Sequence, residues 1–194
     1  MQIIIYNQKG GVGKSMLATQ IAFYFDASII ELDPYGVLTQ TLDDIVVKIE
    51  LDEEIPVISS GDVVYDFGGF DDIRLNQLSN KADLVIIPFN PTINALGTTL
   101  ESYKRVMELN LPILFVVNAY IKESDVVDAV NFLSENTQNE IDYFALPHTR
   151  ALQTSENEGI SIIDIANSSG LKKHTYKKIS KIMKDLMKKI EDYL

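Results

Sequence analysis

The chain has 194 residues, 46% hydrophobic and 23% charged, which is the composition of a folded protein long enough to bury a real core. It has no cysteine and only two histidines, His148 and His174, so disulfides, thiolate zinc sites, iron–sulfur clusters, cysteine nucleophiles and a histidine-rich metal site are excluded. The net charge of −11 argues against wholesale nucleic-acid binding. That charge is uneven. Between Leu171 and Leu194 eight lysines stand against Asp185, Glu191 and Asp192, a net of +5, which leaves −16 on the rest. A basic tail on an acidic body points to a partner. No apolar run approaches the ~18–20 residues of a membrane span. The opening Met1–Tyr6 has no basic flank and too short an apolar run for a signal peptide, so a cytoplasmic location is expected.

Short apolar runs alternate with helical patterns along the whole chain. Strands are expected at Ile3–Tyr6, Ile29–Leu32, Val63–Tyr65, Leu84–Pro88, Ile113–Val117 and Tyr143–Leu146. All are rich in Ile, Val and Phe and apolar on both faces, as buried parallel strands are. Helices are expected near 14–25, 71–80, 94–109, 123–136 and 174–192. The region 36–62 reads as a short helix with one or two edge strands. Such alternation predicts βαβ units, hence an α/β sandwich with a mainly parallel central sheet flanked by helices. With no linker or internal repeat, residues 1–194 read as a single domain.

The first strand runs into Asn7-Gln8-Lys9-Gly10-Gly11-Val12-Gly13-Lys14-Ser15, and an apolar helix follows. Strand, glycine-rich loop and helix together cradle phosphate. Glycines let backbone N–H groups turn inward, and the helix adds its positive end. Lys14 would reach the β- and γ-phosphates, and the Ser15 hydroxyl would ligate Mg²⁺. The loop departs from the usual G-x-x-x-x-G-K-[ST], because Gln8 stands at the first glycine position and Lys9 is an additional lysine.

This variant, Lys-Gly-Gly-Val-Gly-Lys-Ser, resembles the deviant Walker A loop of the ParA/MinD family of ATPases, and the resemblance extends over most of the chain. Glu31-Leu32-Asp33-Pro34-Tyr35-Gly36 is similar to the family's Asp-x-Asp-Pro-Gln-Gly. Val63 to Gly69 is similar to its Walker B strand, with Asp66 as the carboxylate. Ile86 to Pro91 resembles the proline-bearing strand end that follows, and Phe115-Val116-Val117-Asn118 the strand whose terminal Asn reads the base.

The resemblance implies a P-loop ATPase fold with ATP and Mg²⁺ as ligands. Gly10, Gly11, Val12, Gly13, Lys14, Ser15 and Met16 would hold the phosphates, with Asn118 and Pro147 at the base. Ser15 and Asp66 would supply the metal's protein ligands, and Asp33 would position the attacking water. Lys9 would reach across a two-fold axis to the nucleotide of a second protomer, so Lys9, Lys14 and Asp33 form the expected catalytic set. Each assignment has a plainer alternative: a solvated loop lysine for Lys9, turn-forming residues for Asp33, Asp66 and Asn118. Glu31 is one methylene longer than the family's first acid, and Tyr35 replaces its Gln. The guanine-reading Asn-Lys-x-Asp is absent, which favours ATP over GTP.

From Lys177 to Ile190, Ile179, Ile182, Met183, Leu186 and Ile190 share one helical face, and Lys177, Lys181, Lys184 and Lys188 share the opposite one. The lysines could track DNA phosphates without reading sequence. The alternatives are an amphipathic helix on an anionic membrane or a solvated face. The expected function is a ParA-like ATPase. It would form a homodimer on ATP, bind double-stranded DNA non-specifically and hydrolyse ATP slowly. It would position plasmid or chromosome cargo with a ParB-like partner, and so associate with the nucleoid. Rivals are a MinD-like membrane-cycling ATPase, a non-hydrolysing nucleotide-gated scaffold and a small-molecule kinase or synthetase. The N-terminal helix-turn-helix extension of longer family members is not expected here, nor is sequence-specific repression.

Overall fold

The computed structural model describes residues 1–168 and 170–194. Its strands are β1 (Gln2–Ile5), β2 (Ser28–Glu31), β3 (Val46–Lys48), β4 (Val63–Asp66), β5 (Leu84–Phe89), β6 (Ile113–Tyr120) and β7 (Tyr143–Pro147). Its helices are α1 (Lys14–Phe25), α2 (Ile93–Met107), α3 (Glu123–Thr137), α4 (Ala151–Glu158), α5 (Ile162–Asn167) and α6 (Leu171–Glu191). The strands form one seven-stranded sheet in the order β3-β2-β4-β1-β5-β6-β7, and every pairing is parallel. The expected α/β architecture is present.

Strand side chains alternate between two cores. Ile3, Ile5, Val64, Ile86, Leu114 and Val116 pack under α1, α4, α5 and α6. Ile4, Tyr65, Val85, Ile87, Phe115 and Val117 pack under α2 and α3. Both sheet faces are covered, which is why these strands read as continuous apolar runs. The centre holds the N-terminal strand: β1 lies between β4 and β5, with Ile3 beside Val64 on one side and Leu84 on the other.

Several elements differ from expectation. The helix expected at 71–80 is a 3₁₀ helix over Ile73–Leu78, started by the Asp72 carboxylate accepting from the Arg74 N–H at 2.9 Å. The region after Gly36 does hold a short helix and an edge strand, the 3₁₀ turn Leu38–Gln40 and β3. Helices α4 and α5 were not foreseen. Each is short: α4 buries Ala151 and Leu152, α5 buries Ile162, Ile163, Ile165 and Ala166, and polar contacts fasten both. The Gln20 amide donates to Ser155 Oγ at 2.6 Å and accepts from the Ile162 N–H at 3.0 Å, tying α1 to both.

The basic helix begins at Leu171, earlier than expected, and its apolar face is fully used. Ile179, Met183, Leu186, Met187 and Ile190 all lie in the core under the sheet. Leu186→Ala should therefore cost roughly 2–5 kcal/mol in stability, read as a lower urea midpoint. Lys184→Ala, on the exposed face, should leave the midpoint unchanged.

Candidate functional site

Because all strands run one way, their C-terminal ends converge on one edge of the sheet, where open α/β sheets bind ligands. The loop after β1 is held there by Asn7, which is wholly buried. Its amide donates to the Pro88 carbonyl at 2.9 Å and to Thr99 Oγ1 at 3.1 Å, and its Oδ1 accepts from the Lys9 N–H at 2.8 Å. The Gln8 N–H donates to Ser102 Oγ at 2.9 Å. The start of the loop is thus pinned to β5 and α2.

Gly11 and Gly13 have φ of 74° and 95°, which only glycine adopts without strain. Gly13 caps α1 with no side-chain hydrogen bond, so the helix's first N–H groups are left for an anion. Lys14 is 6% exposed, and its ammonium donates to the Lys9 carbonyl at 3.0 Å. Burial lowers its pKa, while the carboxylates of Asp66 and Asp33 pull it back up. The Lys9 side chain itself is exposed.

Beneath the loop, Glu31 and Asp66 are partners on adjacent strands β2 and β4, and both are wholly buried. Glu31 Oε1 accepts from the Leu38 N–H at 2.9 Å. Glu31 Oε2 and both oxygens of Asp66 have no hydrogen-bond partner. Such groups are costly to bury unless something pairs with them. Burial pushes the Asp66 carboxyl up to about 7; neighbouring Ser15 and Lys14 oppose the push, and Glu31 and Asp33 add to it. The extra methylene of Glu31 is accommodated by Gly36, where a Cβ would lie 2.2 Å from Glu31 Oε1.

These residues fit Mg²⁺. The cation takes hard oxygen ligands, few from protein and the rest from water and phosphate. Asp66 offers two unsatisfied oxygens beside the Ser15 hydroxyl. Among the described residues no three His, Cys, Asp or Glu side chains gather as an all-protein cage.

Above this floor lies a cleft of about 400 Å³, within the range of small-ligand sites. Gly10, Gly11, Gly13, Lys14, Ser15, Met16, Asp33, Asn118 and Pro147 all line it. Val12 lies below the surface. Asn118 braces the loop: its amide donates to the Val12 carbonyl at 2.8 Å, and a Cβ on Gly13 would lie 2.2 Å from that amide nitrogen. A register shift between Asn118 and Tyr120, with Ala119 at φ 58°, accompanies this turn of the strand end. Asp33 Oδ1 accepts from the Tyr35 N–H at 3.0 Å. The carboxylate therefore forms the local turn and also faces the cleft. Sequence reasoning missed Asn7 and the wall contributed by α4, with Leu152, Gln153 and Glu156. Burial raises the Glu156 carboxyl.

On α6, Lys177, Lys181, Lys184 and Lys188 are exposed. Lys173, His174, Lys177, Lys181 and Lys184 edge a shallow groove against Ala166 and Asn167 of α5. Lys172 pairs with Glu158 at 2.9 Å and Lys189 with Asp142 at 2.5 Å. Among the described residues none of the four stripe lysines pairs with a carboxylate.

The raised Asp66 pKa makes stability depend on pH. Between the ordinary carboxyl value of 3.8 and about 7 the folded protein holds a proton that the unfolded chain releases. Ligand-free stability should therefore fall as pH rises through that window and level off above it. Asp66→Asn, which stays neutral, should remove this part of the slope and raise the melting temperature at pH 8. Thermal melts from pH 4.5 to 8.5 check this.

Residues 3–191 match the CobQ/CobB/MinD/ParA nucleotide binding domain family. None of the curated proteins matches the sequence. Among solved structures, the MinD cell division protein of Aquifex aeolicus is similar over 98% of this chain and 97% of its own, with a TM-score of 0.66 and 16% identity. MinD of Pyrococcus horikoshii OT3, complexed with Mg-ADP, is similar over 97% and 95%, with a TM-score of 0.65 and 14% identity. A candidate plasmid partition protein of Borrelia burgdorferi B31, bound to AMPPNP, is similar over 97% and 98%, with a TM-score of 0.60 and 19% identity. At such identities these likenesses establish the fold, and the family match spans nearly the whole chain. The chain therefore belongs to the CobQ/CobB/MinD/ParA nucleotide binding domain family.

Proposed function

We propose that this protein is an ATP-dependent positioning ATPase of the ParA type. The observation that carries the reading is the set of buried, unpartnered carboxylate oxygens on Asp66 and Glu31 beneath a phosphate loop whose lysine is also buried. A site so built gains most when a cation and phosphates arrive together. ATP would lie with its phosphates on the Gly10–Met16 backbone and at Lys14, and its base toward Asn118 and Pro147. Mg²⁺, held by Ser15 and Asp66, would neutralise phosphate charge. Asp33, at the cleft wall, would orient the water that attacks the γ-phosphate and yields ADP and inorganic phosphate. The nucleotides in the two neighbours solved with Mg-ADP and AMPPNP support this reading.

The sheet's C-terminal rim supports an ATP-bound homodimer. Tyr35, Val37, Leu51, Ile73, Ile93 and Ile121 are exposed apolar side chains on segments that follow strand ends at that rim. Tyr35 alone is 89% exposed. An apolar rim around a charged cleft is the anatomy of a surface awaiting a partner. Lys9, exposed at the loop, would contact the partner protomer's nucleotide. Two nucleotides facing each other bring about eight negative charges, which four lysines partly offset.

The four stripe lysines of α6, unpaired among the described residues, support non-specific DNA binding. The membrane alternative is weaker, because most of the apolar face of α6 is already spent on the core. With a ParB-like partner stimulating release, such an ATPase would position cargo over the nucleoid.

Light scattering with and without Mg-ATP tests the dimer. Wild type should double in mass with ATP. Lys14→Ala should bind no nucleotide, whereas Lys9→Ala should bind ATP and stay monomeric. Dimerisation of Lys9→Ala like wild type would contradict the role across the interface.

Duplex binding should require ATP, and log K should fall with log[salt] at roughly −5 to −7 if each protomer makes three or four phosphate contacts at about −0.9 each. Replacing Lys181, Lys184 and Lys188 by Gln should flatten that slope, weaken all sequences alike and leave DNA-free ATP turnover unchanged. ATP-independent binding, or unchanged affinity in the triple variant, would return the lysines to a solvated face.

A further inference from the structure

Arg74 and Asp72 are each only 4% exposed and belong to no part of the nucleotide cleft. The Arg74 guanidinium donates Nε to both Asp72 oxygens at 3.0 and 3.1 Å and Nη2 to Asp72 Oδ2 at 2.6 Å. Its remaining donors reach backbone carbonyls far away in sequence: Nη1 to Glu50 at 2.7 Å, and Nη2 to Leu32 at 3.0 Å. Leu32 is the residue before Asp33, and its own N–H donates to the Asp66 carbonyl at 2.8 Å. Leu32 is therefore held at its N–H by the last residue of β4 and at its carbonyl by Arg74, on the segment that follows β4.

That segment also touches the phosphate loop. Gly69 lies so close that a Cβ on it would be 2.8 Å from the Gly10 nitrogen, and a Cβ on Gly68 would lie 3.4 Å from the Asp33 Cα. On the far side of Asp33 the Lys48 ammonium donates to the Pro34 and Gly36 carbonyls, both at 3.0 Å. Asp33 thus sits between two cationic clamps, and only the Arg74 clamp continues into residues packed on the phosphate loop.

We propose that Arg74, oriented by Asp72, is a positioning residue for hydrolysis: it fixes the Leu32 carbonyl, and so Asp33, relative to the phosphate loop. The proposal rests on the reading above that Asp33 orients the attacking water. A buried ion pair is weak evidence for stability, and in some proteins such a pair serves to fix one geometry. Guanidinium suits that need, because its planar fork satisfies a carboxylate and a carbonyl at once, which an ammonium cannot reproduce. A displacement of about 1 Å at such a group can cost about 100-fold in rate.

The test uses Arg74→Lys and the paired change Asp72→Asn with Arg74→Met, which leaves no lone buried charge. Both should bind ATP with affinity within about twofold of wild type and dimerise, yet turn over about 10- to 100-fold more slowly. The loss should lie in kcat with KM for ATP little changed. The decisive comparison is in the Asp33→Asn background. There the same changes should have no further effect on the residual rate, because their route runs through Asp33. If the paired variant does not fold, Arg74→Lys alone decides. Folded variants that turn over like wild type, or that slow the Asp33→Asn protein by the same factor, overturn the positioning role. Absence of any ATP turnover in wild type would instead overturn the hydrolytic reading, and this proposal with it.

Discussion

The structure depends on keeping two neighbouring carboxylates away from water. Glu31 and Asp66 end adjacent central strands, are wholly buried, and leave three oxygens without a partner. An apolar core does not tolerate such groups without compensation. Burial pushes the Asp66 carboxyl up to about 7, so below that pH a proton supplies part of the compensation. The rest must come from Lys14 and from whatever binds above. The protein is thus built around a local deficit that a metal–phosphate ligand, as proposed above, would remove. Stability and ligand binding are the same free energy seen from two sides.

Much of the surrounding structure holds that deficit in place. The all-parallel sheet brings β1, β2 and β4 to one edge, so Lys14, Glu31, Asp33 and Asp66 meet though they lie far apart in the chain. Asn7 pins the start of the phosphate loop to α2, and Asn118 braces its middle from the end of β6. Gly36 lets the loop after β2 close over Glu31. None of these contacts touches the open volume of the cleft as a charge, yet each sets where a phosphate could sit. A site that depends on such support is exact only because its walls are rigid.

What could be read from residues alone follows from how local each feature is. The phosphate loop is contiguous, and its glycines, lysine and hydroxyl announce themselves within nine residues; Gly10, Gly11, Gly13, Lys14 and Ser15 line one cleft. Asp33 and Asp66 could be placed only through family resemblance, since an acid at a strand end is otherwise a common turn residue. Helices α4 and α5 are illegible in the sequence because they span only eight and six residues, too short for a helical period to show, and their fastening to Gln20 is non-local. Arg74 was absorbed into an expected helix. Its burial depends on carbonyls 24 and 42 residues earlier, and no local pattern encodes that. Asn118 was noticed for base recognition, but its contact with the Val12 carbonyl, 106 residues away, was visible only in the fold.

On the proposed reading, the unpartnered oxygens of Asp66 form a seat for a cation bound together with ATP. Calorimetric titration of wild type and Asp66→Asn with ATP at pH 8, with and without Mg²⁺, measures this. Wild type should bind ATP at least tenfold more tightly with Mg²⁺ than without, and Asp66→Asn should lose most of that difference while still binding free ATP. An equal Mg²⁺ enhancement in both proteins would contradict the account.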